Sequence, residues 1–375
     1  MIGVELAPLD TWFFRDGTPF FAGETPMGSV DGVFPPHPGT VVGALRAALA
    51  AERGWNGRGR WADEFCAVLG DGPYDLGRLT FDVPFLLRNG QPLFPAPRHL
   101  LGTGNSGEWD PATFLRPGPP VACDLGDAVR LPEPMDFTGD PHDLKPANGQ
   151  WLTPAGLTAV LNGALPSPGD VVFAGGLWAT EPRTGLELDR ATRTAVEGML
   201  YNVRHVRPAD DVSLGARIDG LPDDWTAPFG QLLPLGGESR LAECREWGGD
   251  LLLDAPSDAI ASGHEVAVMA LSPLDIEEDI CLGERPIPEL ADARVVSAAL
   301  DRPLRIGGWN SLERAPLPMR SVLPPGSVLF CEVGDPTQMR EMIVAQGGLV
   351  RLGQRKEWGF GLAALGVWPR NTEVQ

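Results

Sequence analysis

Near its end the chain runs GGLVRLGQRKEWGFGLAALGVW, residues 347–368, with six glycines, three cations and two tryptophans in this short span. Glycine at that density weakens a strand unless another backbone has to come close. The stretch therefore predicts either a tight hairpin or a glycine-rich loop with something laid against it. Arg351, Arg355 and Lys356 carry its positive charge, opposed only by Glu357. A phosphate backbone approaching the N–H groups of Gly353, Gly359 and Gly361 would suit that charge. A hairpin that simply closes on the protein's own chain would suit the glycines equally well.

The rest of the composition limits the choice. The chain has 375 residues, 43% of them apolar and 21% charged, which describes a globular protein with room for two domains. Glycine (47) and proline (38) are abundant and predict many turns. No apolar run approaches the roughly 20 residues of a membrane span. The start, MIGVELAPLD, lacks the charged and apolar segments of a signal peptide, so a cytoplasmic protein with no membrane partner is expected. The net charge of −20 argues against a nonspecific polyanion binder, while leaving room for a local basic groove. Of the 30 cations only Lys145 and Lys356 are lysine. Cys66, Cys123, Cys244, Cys281 and Cys331 are widely spaced, with no CxxC pair, and read as reduced, mostly buried thiols.

Periodicity and turn signals sketch the elements. MIGVELAPLD reads as a strand, followed by a loop to Gly39 and a helix capped by Thr40 and stopped near Gly54. RLTFDVPFLLRNGQPLF is a hairpin about Asn89-Gly90. TPAGLTAVLNG is a short helix beginning at Thr153 or Pro154. Later strands are expected at VSLGARIDG, HEVAVMALSPL, ARVVSAAL and GSVLFCEV, with the glycine-rich hairpin last. Two successive α+β halves, 1–195 and 196–375, describe this order.

Few motifs carry chemistry. The segment FPPHPGTVVGALRAAL opens a helix whose N-terminus could hold a phosphate, with Thr40 at its start and Arg46 two turns in. An ordinary capped core helix is the alternative. KEWGFGLA looks like the aromatic strand of an RNA-recognition motif, but too little chain follows it to complete one. The histidines (37, 99, 142, 205, 264) are scattered, and His142-Asp143 lacks the further ligands a metal needs. There is no Walker loop, GxSxG or HExxH, so no catalytic residue, metal or cofactor is assigned.

In order, PLDTWFFRDGTPF, FPPHPGTVVGALRAAL, AVEGMLYNVRHVR, LGGESRL, GGWN…PLPMRSVLPPGSVLFCE and RLGQRKEWGFGLAALGVW resemble the RAMP superfamily of CRISPR proteins. The resemblance is to the third subunit of the type III-B (Cmr) effector complex and covers nearly the whole chain. It implies an α+β fold of two tandem ferredoxin-like (RRM-like) domains with antiparallel sheets and loop insertions. It also implies a noncatalytic subunit that holds the 5′ handle of the guide RNA (crRNA). Its expected partners are the large polymerase/cyclase-like subunit and a neighbouring backbone RAMP subunit. The RNA-binding residues so implied are Thr40, Arg46, Arg204, Arg207, Arg351, Gly353, Arg355, Lys356, Gly359 and Gly361. Gly39 stands where the family usually has a small polar residue. Trp12, Phe14, Trp358 and Phe360 are candidate stacking platforms. A rival reading, a metal-independent endoribonuclease processing guide RNA, would take His37 or His205 as its base. A third is a module that binds a mononucleotide.

Overall fold

The computed structural model describes residues 1–15, 29–30, 32–104, 107–123, 126–251, 253–281 and 283–369. Part of the loop expected between Thr11 and Gly39 lies outside the described residues. The architecture is α+β, with mostly antiparallel sheets and few helices. The chain forms two compact units, each drawn from three stretches rather than from one half. The first comprises residues 1–90, 176–248 and 305–320, and the second comprises 91–175, 249–304 and 321–375.

In the first unit the chain lays down β1 (Ile2–Pro8), α1 (Pro38–Glu52), β2 (Thr80–Arg88), β3 (Trp178–Leu188), β4 (Ala195–Pro208), β5 (Val212–Asp219) and β6 (Leu241–Glu246). Four strands lie side by side, antiparallel, within an eight-stranded sheet, in the order β2-β5-β1-β6. Val4 and Leu6 of β1 and Leu214, Ala216 and Ile218 of β5 are fully buried, as are Val41, Val42, Leu45 and Leu49 of α1. Each such valine, leucine or isoleucine contributes about 1.5–3 kcal/mol by leaving water. The helix starts earlier than its sequence suggests. His37 is the N-cap and Pro38 the first helical residue, with no side-chain cap at all. Proline's fixed φ suits that position and its missing N–H costs nothing there. Gly54, at φ 92°, ends the helix as expected.

The strands β3 and β4 form a long hairpin, paired from Trp178↔Pro208 to Leu188↔Ala195. Residue 195, where the sequence reading divides the chain, therefore opens the second strand of one hairpin. Alternation and turn residues mark strands, but they do not say which strands share a core.

In the second unit β7 (Glu265–Ala270), β8 (Arg294–Ala299), β9 (Val328–Glu332), α2 (Pro336–Gln346), β10 (Leu349–Arg351) and β11 (Leu362–Gly366) follow. Their sheet has the order β8-β9-β7-β11-β10, antiparallel throughout. The Asp335 carboxylate accepts the Thr337 and Gln338 N–H groups at 3.0 and 3.1 Å and starts α2, and Gly347 at φ 66° ends it. Met339 and Ile343 of α2 join Val266, Val268, Leu329 and Cys331 in one core cluster. Phe330, on the opposite pleat, packs edge-on against Trp368 and His99. His99 is wholly buried with no hydrogen-bond partner for either ring nitrogen, and burial drives its pKa down to about 3.

Counted along the chain within each unit, the main strands lie in the same order, second-third-first-fourth. The first unit carries its long helix between its first and second strands. The second carries it between its third and fourth. All five cysteines are free, with Cys244 and Cys331 buried, Cys66 and Cys281 half-buried, and Cys123 exposed.

Candidate nucleic-acid interface

Two regions hold most of the arginines named from the sequence, one in each unit. On one face of the β3–β4 hairpin Glu181 pairs in register with His205 and Arg183 with Val203, while Arg207 lies two residues beyond His205. Period-two alternation brings Glu181, Arg183 and Arg207 together, and the loop after β1 adds Asp10. The Asp10 carboxylate accepts hydrogen bonds from Arg183 at 3.1 Å, Arg207 at 3.0 Å and Arg240 at 3.2 Å. Glu181 accepts from Arg183 at 2.8 Å and from Arg207. Three guanidinium groups thus share two carboxylates on a solvated face, and Glu238 also lies close enough to act on His205. Arg183, ahead of Arg207, holds the Asp10 carboxyl below the usual carboxylate range, and Arg207, ahead of Arg183, does the same for Glu181. Arg204 points from the other face of β4 and is exposed.

Beneath this face lies His205, 1% exposed. Its Nδ1 is 3.0 Å from the Thr11 hydroxyl, and its ring stacks on Phe13. Burial, then repulsion from Arg183 and Arg240, lowers its pKa. A base so enclosed does not meet an RNA 2′-hydroxyl, which removes His205 from the endoribonuclease reading. His37 is half-buried at the start of α1.

The glycine-rich stretch behaves differently. β10 and β11 pair from Leu349↔Ala364 to Arg351↔Leu362, so the stretch is a hairpin enclosing a ten-residue loop, 352–361. What comes close to its glycines is the protein's own backbone. Gly353 (φ 74°) and Gly361 (φ 70°) are left-handed, and a Cβ there would strike the Asp275 and Leu352 carbonyls respectively. Gly359, at φ 85°, closes a short 3-10 turn over Lys356–Trp358. The Gln354 N–H donates to the Asp275 carbonyl at 2.7 Å, and the Gly361 N–H to that of Pro273 at 2.9 Å.

The cations of this loop are matched one to one. Arg355 donates through Nε to Asp275 at 2.9 Å and lies 3.8 Å over the Phe360 ring. Lys356 Nζ is 2.8 Å from Glu289. Arg351 is half-buried at the end of β10. Arg355 and Lys356 of the cluster read along the sequence thus fold onto an acidic segment, Asp275–Asp292, and each gains a carboxylate partner.

The remaining candidates separate by burial. Thr40 is half-buried in the first turn of α1, its N–H donating to the His37 carbonyl. Arg46 is 5% exposed, so its expected RNA contact is replaced by an internal one. Its guanidinium donates to the carbonyls of Leu69, Gly72 (3.0 Å) and Asp75 (2.8 Å) and lies over Trp61. Burial lowers its pKa to about 10, which still leaves it charged at neutral pH. Trp12, Phe14, Trp358 and Phe360 are all at least nine-tenths buried, which makes them core side chains rather than stacking platforms. Asp10, Glu181, Arg183 and Arg240 escaped the sequence reading. The alternation of Glu181 and Arg183 with Arg207 across a hairpin was the signal available for them. Among the described residues, no group of three or more His, Cys, Asp or Glu could hold a metal ion. No described helix is long and apolar enough to cross a membrane.

Comparison with known proteins gives the class. Residues 4–368 match the family model described as CRISPR-associated protein (Cas_Cmr3), so the chain belongs to that family, among the subunits of type III CRISPR effectors. This is the family that the ordered sequence blocks resemble. No curated protein matches the sequence significantly. The fold is similar to a chain in a cryo-EM structure of the type III-B Cmr-beta complex bound to cognate target RNA and AMPPnP. The TM-score is 0.51 at 18% identity, over 92% of this chain and 88% of that one. A second cryo-EM structure, of Cmr-beta bound to cognate target RNA, gives 0.50 at 18% identity, over 88% and 86%.

Proposed function

We propose that this protein is the noncatalytic guide-RNA-binding subunit of a type III-B CRISPR effector complex. In this reading it holds the 5′ handle of the crRNA in the cytoplasm, in antiviral defence. It docks the large polymerase/cyclase-like subunit and sits beside a backbone RAMP subunit. Family membership frames this reading, and the arginine face of the β3–β4 hairpin carries it. That face gathers three arginines on shared carboxylates in a chain of net charge −20. Its ion pairs are solvated, and such pairs are worth only about 0–1 kcal/mol. An RNA phosphate, which guanidinium binds bidentately, competes for these arginines at small cost. Arg183, Arg207 and Arg240 are therefore assigned to the RNA backbone, with Arg204, on the opposite face of β4, as a secondary contact. Arg351 is a secondary contact, and Arg46, Arg355 and Lys356 serve the fold.

The shared strand order supports two ferredoxin-like domains, each βαββαβ in plan. The first lacks a helix between β5 and β6, where residues 220–240 are loop and a short strand. The long hairpin and the segments that cross between units are then insertions. Purification of the tagged chain from its host, with sequencing of bound RNA, tests the reading. Guide RNAs sharing one 5′ end are expected, and recovery of the large subunit without any RNA would contradict it.

A further inference from the structure

The GGWN segment takes no part in the arginine face, yet it builds a cleft within the first unit. Arg60, Asp71, Pro73, Asn310, Leu312 and Glu313 line a space of about 340 Å³, the size of pockets that take small organic groups. One wall, residues 69–75, is held by the buried Arg46 guanidinium through the three carbonyls described above. The loop after α1 reaches the mouth through Gly57 (φ 79°) and Gly59 (φ 65°), its base closed by an edge-on contact of Trp55 with Trp61. Arg58 and Arg60 are exposed there. Arg60 is 3.4 Å from Asp71, and Arg58 has no side-chain partner among the described residues.

Asn310 is the group that points to a ligand. It is only 8% exposed. Its Oδ1 accepts the N–H groups of Leu312 at 3.0 Å and Glu313 at 3.3 Å, which fixes which amide atom is which. Asn310 lines the cleft, and its Nδ2, the remaining donor, has no acceptor among the described residues. Glu313 and Asp71 supply carboxylate acceptors on the same cleft, and Glu313 has no ion-pair partner among the described residues. Tyr74, next in sequence to the lining residue Pro73, is 74% exposed.

We propose that this cleft receives one unpaired nucleobase of single-stranded RNA. Asn310 Nδ2 donates to a ring or carbonyl acceptor of the base, and a carboxylate of Glu313 or Asp71 accepts from its N–H. Arg58 and Arg60 meet the flanking phosphates, and Tyr74 offers a stacking face. A planar group with adjacent donors and acceptors fits this set, and a bare phosphate does not, because the carboxylates repel it. The inference rests on the RNA-binding reading and adds base preference to it.

The test uses the full chain and fluorescein-labelled hexamers of rA, rC, rG and rU, with affinity read by anisotropy at one salt concentration. The tightest hexamer is expected to bind about tenfold better than the weakest, within what one base contact supplies. Asn310→Asp keeps an oxygen for the Leu312 and Glu313 N–H groups while removing the donor. Ser311→Asp adds the same charge on the exposed neighbour and is the control. Loss of the preference in N310D, with S311D retaining it and both melting close to the parent, supports the proposal. Equal binding of the four hexamers by the parent chain overturns it and leaves the proposed function standing, as does a preference that survives N310D. Absence of any RNA binding overturns both.

Discussion

The β3–β4 arginine face and the glycine-rich loop invert what their sequences suggest. The loop places Arg351, Arg355 and Lys356 within six residues, but folding delivers Asp275 to Arg355 and Glu289 to Lys356. The hairpin and its neighbouring loops draw Arg183, Arg207 and Arg240 from separate segments, and among the described ion pairs these three share Asp10 and Glu181. Charge along a chain is thus a poor guide to charge on a surface, because ion pairs bring together residues distant in sequence. The glycines differ in the same way. Those of the loop are needed for contact with the protein itself, so sensitivity to substitution there reports folding before binding.

The largest effect should come from the loop. In Gly361→Val the added carbon meets the Leu352 carbonyl at a φ of 70°, with strain and a clash together. A loss of more than about 3 kcal/mol is expected in denaturant unfolding. A Gly361→Val protein of parental stability that had lost RNA binding would restore the glycines to the RNA. Next, Arg46→Ala should cost about 2–4 kcal/mol, because it leaves three carbonyls without their charged donor. Chemical denaturation reads this directly, and a loss of RNA affinity at full stability would break the assignment.

Acid separates the regions by chemistry. His99 is neutral in the fold with a pKa near 3, against about 6.5 when unfolded. The unfolded chain therefore binds the extra proton, and the stability present above pH 6.5 is lost as pH falls toward 3. Between pH 7 and pH 5 about 2 kcal/mol should disappear. That loss should be absent from His99→Phe, any residual dependence of the same sign falling to His205, which shifts in the same direction. Asp10 and Glu181 have depressed values, so their pairs persist until pH drops below the ordinary carboxylate range. A pH dependence unchanged by His99→Phe would mean that water or a partner satisfies the ring.

A smaller effect sharpens the arginine face. Asp10→Asn removes one of its two negative charges, and RNA should bind a few-fold more tightly, with salt dependence steeper by roughly 0.7 for each additional phosphate engaged. Unchanged affinity would show that these arginines do not meet phosphate.

Much of the fold was legible from side-chain period and turn chemistry. Asn89 and Gly90, at φ 50° and 74°, turn where an Asn-Gly pair should, and Thr153 caps the helix Pro154–Leu161 through the Gly156 N–H. The start of α1 was misread because Thr40 is the better side-chain cap, whereas Pro38 sets the actual first turn. The units were not legible as chain segments, since the β3–β4 hairpin spans the boundary chosen. Of the site, Arg204 and Arg207 were named, but their neighbours were not. Nothing local marks Asp10 as lying 173 residues from its partner Arg183. Nor does anything local mark Arg46 as buried, because a helical arginine between Leu45 and Ala47 reads as solvated until the loop at 69–75 folds over it.

The central claim is that RNA is gripped by the shared arginines of the first unit and not by the matched cations of the second. The salt dependence of handle-RNA affinity for two double variants tests it most directly. Arg183→Ala with Arg207→Ala should flatten the plot of log affinity against log salt by about 1.4, two phosphate contacts at the single-strand slope. Arg355→Ala with Lys356→Ala should leave the slope at its parental value while lowering stability. The reverse pattern, a slope lost with the loop and kept with the hairpin, would contradict the account.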